Sequence, residues 1–369
     1  MVLGSVHAFS VFLVPLEAQF NATRSQVSLT YSLALVAITA SVLLGYKVFA
    51  RWPAGSFVMG ICALAAAGAF VAALAPSLIW VWVGYSLLFG TANGLGYGFG
   101  LQLSAQANPA RPGMAMGIVT ACYALGATLS PAVFAAALAS GGTPTAFVGL
   151  AATLAAAALI CGMLLSLSGA VFAPAASLSA RKLVPRGQFF LLWFGYGAGV
   201  AGGLMAIGHA AGIASSMGFT AGPWITPTLI AFCNMIGSLA GGWLADRVNT
   251  SRLLIGLPMV TAIALSLMVF QDHAVIAILC LGLVGFAYGA IIAAYPASIA
   301  RRFGPQDSPR IYGQVFIAWG LAGLTAPWFA GALYDQSGSY SAALMTAGVI
   351  SLGSAVAVAL YAVKRNAQG

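Results

Sequence analysis

Apolar runs close to twenty residues long follow one another along this whole chain, and that spacing constrains its fold more than any other feature. A hydrocarbon core of roughly 30 Å takes about 20 helical residues at 1.5 Å each. Cutting at charges, Pro/Gly clusters and short polar breaks leaves twelve runs, near 1–20, 26–47, 54–75, 77–105, 112–138, 145–167, 188–217, 224–245, 252–271, 274–300, 309–333 and 341–363. A backbone in lipid must satisfy its own hydrogen bonds, and the runs lack the alternation of barrel strands, so each reads as a helix. Composition agrees: 5% of the residues are charged, against about 25% in soluble domains. The chain is expected to be an all-α polytopic membrane protein of 12 transmembrane helices, with the lipid bilayer as its surroundings. The first run has no basic leader and no small-residue cleavage site, so it reads as a membrane helix rather than a signal peptide. A cytoplasmic tail is expected upstream of it.

Charge sets the orientation. With the N-terminus in the cytoplasm, the inside loops hold Lys47, Arg51, Arg111, Arg181, Lys182, Arg186, Arg247, Arg252, Arg301, Arg302, Arg310, Lys364 and Arg365, which is 13 of the 14 basic residues; only Arg24 falls outside. Such a bias marks the cytoplasmic side. Both termini are expected inside, in a bacterial inner (plasma) membrane. The net charge of +9 then faces anionic lipid and calls for no nucleic-acid partner. The five cysteines (Cys62, Cys122, Cys161, Cys233, Cys280) all lie within runs without metal-site spacing, and read as free, packed thiols. Three scattered histidines and no intramembrane acid–base pair exclude metal catalysis and nucleophilic hydrolysis, so no catalytic residue, metal or cofactor is expected. GLGYGFG (94–100) is close to a dinucleotide-binding loop, but its glycines fall inside a membrane run, where they allow a neighbour to approach.

An internal repeat organises the runs. Gly45 to Gly241 is an offset of 196, and Arg51 to Arg247, Gly117 to Gly313 and Pro131 to Pro327 share it. At an offset of 195, LFGTANG (88–94) meets LVGFAYG (283–289). Agreement at separate places predicts two pseudo-symmetric six-helix halves, residues 1–168 and 188–369, joined by a basic cytoplasmic linker at 169–187.

GGWLADRVNTSR (241–252), with its worn copy GYKVFARWPAGS (45–56), resembles the G-x-L-x-D-R-x-x-R loop signature of the major facilitator superfamily. Gly117-x8-Gly126-x3-Ser130-Pro131 is similar to that superfamily's glycine–proline motif in helix 5. The resemblance implies alternating access, gated here by Gly45, Arg51, Gly241, Asp246 and Arg247. Asp246, at a helix end, is expected to pair with a basic side chain of a neighbouring loop in one conformation only. Ala50 stands where the first half would carry the aspartate, which leaves any latch to the second half.

GSVHAFSVFLVPLEAQFNATRSQVSLTYS, GLMAIGHAAGIASSMGF and YGQVFIAWGLAGLTAP resemble the oxalate–formate antiporter family, which is related to the monocarboxylate transporters. The resemblance covers the whole chain and implies exchange or symport of small organic acids. It also implies a cavity lined by helices 1, 4, 7 and 10, with 3, 6, 9 and 12 facing lipid. The polar residues follow the same division: His7, then Asn93, Tyr97 and Gln102, then Tyr196 and His209, then Tyr288 and Tyr295. Carried over residue by residue, the family's arginine in helix 8 falls on Ser238, its lysine in helix 11 on Trp319, and a tyrosine in helix 1 on His7. Tyr97, Tyr123 and Tyr288 match aromatic site positions. No Lys, Arg, Asp or Glu lies deep in any run, so a dianion such as oxalate would find no fixed counter-charge. The expected substrate is a small monocarboxylate-like acid, bound by His7, Tyr97, Tyr123, Ser238, Tyr288 and Trp319. An exporter of neutral or amphipathic compounds and a non-transporting scaffold are the alternatives. Proton coupling would fall to His7, about 10 Å deep at seven residues into its helix, or to His209. The carrier is expected to work as a monomer.

Overall fold

The computed structural model describes residues 1–173, 186–219, 224–271, 273–304 and 307–366. All regular structure among them is helical. The helices are α1 (Val2–Phe20), α2 (Arg24–Gly45), α3 (Ala54–Ala73), α4 (Leu78–Ala107), α5 (112–140), α6 (143–167), α7 (Arg186–Ser216), α8 (Ile225–Arg247), α9 (Thr250–Phe270), α10 (Ala274–Phe303), α11 (Ser308–Ser337) and α12 (Ser341–Asn366). Each of the twelve expected runs corresponds to one of them. Of the linker expected at 169–187, residues 174–185 lie outside the described residues, as does Asp272.

Local chemistry explains the breaks. Between α5 and α6 the chain turns at Gly142, whose φ of 71° favours a residue without Cβ. Asn21 closes α1 in the left-handed region. Thr23 then opens α2 with a reciprocal cap: its side chain accepts from the Gln26 amide, and the Gln26 side chain accepts from the Thr23 amide. The first eleven residues of α1, Val2–Phe12, wind as a 3₁₀ helix, and Trp82–Phe89 of α4 wind with π geometry. At this widened turn the Tyr85 hydroxyl donates to the Val6 carbonyl at 3.4 Å and Ser86 donates to the Thr30 carbonyl at 2.7 Å, tying α4 to α1 and α2.

Exposed apolar side chains lie on all four helices expected to face lipid, and on others as well, such as Leu129 on α5 and Leu279 on α10. Phe70 on α3, Leu159 and Met163 on α6, Ile263 on α9 and Val349 and Val356 on α12 are all exposed. Small residues let the inner helices touch backbone to backbone. α2 and α4 meet at Gly94, where a Cβ would overlap the Ile38 carbonyl. The glycines of GLGYGFG thus serve helix packing. Met1 lies beside Gly126 and Gly4 beside Tyr123, about 21 and 16 Å along α5 from its start. His7 lies against Tyr123, with ring centroids 5.7 Å apart, about 16 Å along α5 from its start.

Two of these glycine positions separate packing from propensity. Gly94→Val forces the α2–α4 backbones apart and is expected to cost about 1–3 kcal/mol, seen as a lower thermal midpoint in detergent. Gly60→Ala, which meets nothing within 4 Å, is expected to unfold at or slightly above the wild-type temperature, since alanine is the better helix former.

Candidate functional site

At the centre of the bundle lies a cavity of about 30 Å³ lined by His7, Ile38, Tyr97, Thr120, Tyr123, Ala124, Asn234, Tyr288, Ile292, Phe316 and Trp319. Five of the six residues expected to contact substrate are there: His7, Tyr97, Tyr123, Tyr288 and Trp319. Ser238 is not. It is fully buried one turn along α8, where its hydroxyl lies 3.3 Å from both Asn234 Oδ1 and the Gly289 carbonyl. The α8 residue facing the cavity is Asn234, which the family carry-over passed over because it was anchored on the arginine position.

The lining helices also differ from expectation. α7 contributes none of the lining residues, while α2, α5, α8 and α11 do. Tyr196 of α7 is fully buried against Tyr295, with ring centroids 4.5 Å apart, and its hydroxyl lies 3.4 Å from that of Tyr312. His209 Nε2 lies 2.8 Å from the Pro327 carbonyl, so it carries the proton and donates to it; Nδ1 lies 3.3 Å from the Tyr340 hydroxyl. This histidine joins α7 to α11 rather than facing the cavity. Asn93 and Gln102 are likewise structural: the Asn93 amide donates to the Leu3 carbonyl at 2.5 Å, and Gln102 Oε1 accepts from the Ser308 hydroxyl at 2.6 Å.

Hydrogen bonds fix the cavity walls. Tyr123 donates to Asn93 Oδ1 at 2.7 Å, and Trp319 Nε1 donates to the Tyr288 oxygen at 2.9 Å. Phe316 stacks on Trp319 with centroids 4.7 Å apart. His7 Nδ1 lies 2.7 Å from the Tyr31 hydroxyl, which leaves Nε2 as the nitrogen free to meet an occupant. Tyr97 is buried, and its hydroxyl has no hydrogen-bond partner. Among the described residues, none that lines the cavity is charged. At roughly 10–15 Å³ per water, this conformation has room for about two water molecules. Any larger cargo requires the walls to move apart.

Toward the face carrying Arg111, Arg247 and Arg301, helices meet along two seams. On one side α5 meets α8: a Cβ at Gly113 would lie 2.6 Å from the Gly242 carbonyl, and one at Gly117 would lie 2.9 Å from that of Ser238. Asp246 holds this seam, its Oδ1 accepting from the Gly113 amide at 3.0 Å and its Oδ2 from the Met114 amide at 2.8 Å. A basic side chain was expected as its partner. The structure supplies the N-terminus of α5 instead, where exposed amides and the helix dipole both favour a carboxylate. Arg247 lies over the Trp243 ring at 4.1 Å, and Arg51 is exposed. Gly241 backs onto Ala290 of α10, whereas its repeat mate Gly45 faces the Phe49 ring.

On the opposite side α11 meets α2, with Gly313 against Leu43, Gly320 against Thr39 and Gly323 against Leu35. Here the repeat offers Ala50 and no carboxylate. The polar tie at the start of α11 is the neutral Ser308–Gln102 bond. One seam is therefore held by a charge-assisted pair and the other by packing plus a neutral hydrogen bond.

Comparison with known proteins gives concordant results. The family model described as Major Facilitator Superfamily matches residues 1–271 and 225–369. An uncharacterised MFS-type transporter, YhjX of Escherichia coli (strain K12), is 24% identical over 334 residues, which is 87% of this chain and 82% of that protein. The proton:xylose symporter XylE bound to 6-bromo-6-deoxy-D-glucose superposes with a TM-score of 0.74 at 15% identity, over 96% of this chain and 92% of its own. The human organic anion transporter MFSD10 (TETRAN) gives 0.69 at 16% identity, over 97% and 96%. At these identities the two structures establish the shared fold.

The unequal seams lead to a measurable difference. Asp246→Asn leaves one oxygen where two accepted, removing a bond of the charged class, about 1.5–3 kcal/mol, whereas Ser308→Ala removes a neutral one of about 0.5–1.5 kcal/mol. With Thr39→Cys as a reporter in a cysteine-free background, labelling from the basic face is expected to rise about tenfold or more with Asp246→Asn. Ser308→Ala is expected to raise it by less. Unchanged labelling in Asp246→Asn would reduce Asp246 to a topology residue.

Proposed function

The chain belongs to the Major Facilitator Superfamily, and we propose that this transporter moves a small monocarboxylate through the central cavity by alternating access, as exchange or as proton-linked symport. It is a membrane transporter and not an enzyme. The observation that carries the substrate reading is the wall of the cavity: histidine, tyrosines, tryptophan and asparagine, with no fixed charge of either sign. A dianion there would meet no fixed positive charge to offset its lost hydration. A monoanion that travels with a proton crosses as a neutral unit, and one exchanged for another leaves the cavity equally occupied on both passages.

His7 is the titratable group facing that space, and it is the candidate proton carrier. Residues 1–168 and 188–369 act as the two rocking halves. The face rich in arginine and lysine is the cytoplasmic one, with both termini there, in a bacterial inner membrane, and one chain suffices for transport. A second reading, export of neutral or amphipathic compounds, is favoured by the same uncharged, aromatic lining.

Counterflow in proteoliposomes separates the two readings: liposomes loaded with short monocarboxylates are expected to accumulate labelled monocarboxylate, while neutral amphiphiles do not compete. Flux of dyes or neutral compounds without monocarboxylate exchange would favour the second.

Uptake is also expected to fall as pH rises through the titration of the His7 imidazole, because only the protonated ring supplies a positive partner. His7→Gln is expected to flatten that profile. His209→Gln leaves it intact, since His209 is committed to the Pro327 carbonyl. A wild-type pH profile in His7→Gln would remove His7 from proton coupling.

A further inference from the structure

We infer that Asn234 is the specificity-determining residue of this cavity: with Tyr97 and Tyr288 it forms a neutral set of hydrogen-bond donors that receives the carboxylate of the cargo. This deepens the monocarboxylate reading and rests on it.

The inference comes from accounting for each polar group in the wall. Tyr123 gives its proton to Asn93, Thr120 gives its own to the Met116 carbonyl at 2.9 Å, and Trp319 gives its ring N–H to Tyr288. These donors are committed. Besides His7, whose Nε2 is open, three others are not. Tyr97 is 7% exposed and its hydroxyl is unpartnered. Thr120 donates within its own helix and Tyr312 lies against Tyr196, but the oxygens of both stand beside the Tyr97 hydroxyl, so its proton turns to them or to an occupant. Tyr288 accepts from Trp319, and no bond uses its own proton. Asn234 lines the cavity with its Oδ1 3.3 Å from the Ser238 hydroxyl, whose single proton the Gly289 carbonyl shares at 3.3 Å, and its amide nitrogen donates to no described residue.

The unused capacity therefore includes several protons seeking acceptors, beside the lone pairs that the hydroxyl oxygens retain. A carboxylate has two oxygens, about four lone-pair sites and no proton of its own, so it complements such a wall. An alcohol or primary amide brings donors as well, which must turn to the lone pairs of the tyrosine and threonine hydroxyls. Asn234 is the one group in the set that presents its two N–H bonds from a rigid amide plane. Buried Ser238 holds that plane, which gives the serine a positioning role in place of the contact expected of it. Tyr97 comes from α4, and Asn234 and Tyr288 come from α8 and α10. A bound carboxylate thus bridges helices on both sides of the cavity and draws its walls together.

Binding of radiolabelled propionate and propionamide to the purified carrier tests this, with folding checked by thermal unfolding. Wild type is expected to bind propionate at least tenfold more tightly than propionamide. Asn234→Ala is expected to weaken propionate about tenfold with less than threefold change for propionamide, so that selectivity collapses. Asn234→Asp, of the same shape but with oxygens replacing the N–H donors, is expected to abolish propionate binding in folded protein; it serves alone if the alanine variant does not fold. Ser238→Ala, which frees the amide plane, should give an intermediate loss. A wild-type carrier that binds propionate, together with Asn234 variants of unchanged affinity and selectivity, would overturn the role of Asn234 and leave the monocarboxylate reading standing. A wild-type carrier that binds propionamide as well as propionate, or binds neither, would overturn both.

Discussion

Inside a membrane every polar group must find a partner or face an aqueous space, because hydrocarbon offers neither hydrogen bonds nor hydration. The organisation of this protein follows from that constraint. Asn93 ties α4 to the opening turns of α1 and fixes Tyr123; His209 joins α7 to the carbonyl beside the α11 proline; Gln102 meets Ser308 across the bundle. Each places a polar side chain where it holds helices together. Of the buried groups left without a partner among the described residues, Tyr97 faces the small central space, while Ser5, Gln102 Nε2, Thr228 and Tyr295 lie elsewhere in the bundle.

Close backbone approach is the complementary device. The chain has 45 glycines, and those at the seams let helices meet at distances that side chains would forbid, so that two faces can seal without interlocking. Packing of this kind lets a surface part and re-form, as alternating access requires, because dispersion contacts between smooth faces have no directional bond to break.

Much of this was legible in the sequence, at different depths. The twelve helices were readable because bilayer thickness sets their length, and Pro/Gly breaks such as Gly141–Gly142 punctuate them. The lining was legible only in part. His7, Tyr97 and Tyr288 were found because polar residues in apolar runs are few. Tyr196 and His209 carry the same signal for another reason, as partners of Tyr312 and Pro327, and sequence cannot tell a cavity-facing polar group from a bonded one. Ser238 and Asn234 differ by one helical turn, and an alignment anchored on a lost arginine chose the one that points away. Asp246 stood out by its charge, but a backbone amide leaves no trace in composition, so its partner could only be seen once α5 was placed beside it.

The position of Asp246 has a consequence for the environment of the carrier. Its carboxylate is only partly buried, at the end of a helix where water and dissolved ions reach. Attraction between a carboxylate and a helix N-terminus weakens as ionic strength rises, with a screening length of about 8 Å under physiological conditions. The opposite seam, made of glycine contacts and one neutral hydrogen bond, has no comparable dependence. Salt on the basic face therefore loosens the α5–α8 seam and leaves the α2–α11 seam as it is, so the two seams respond differently to the medium they share.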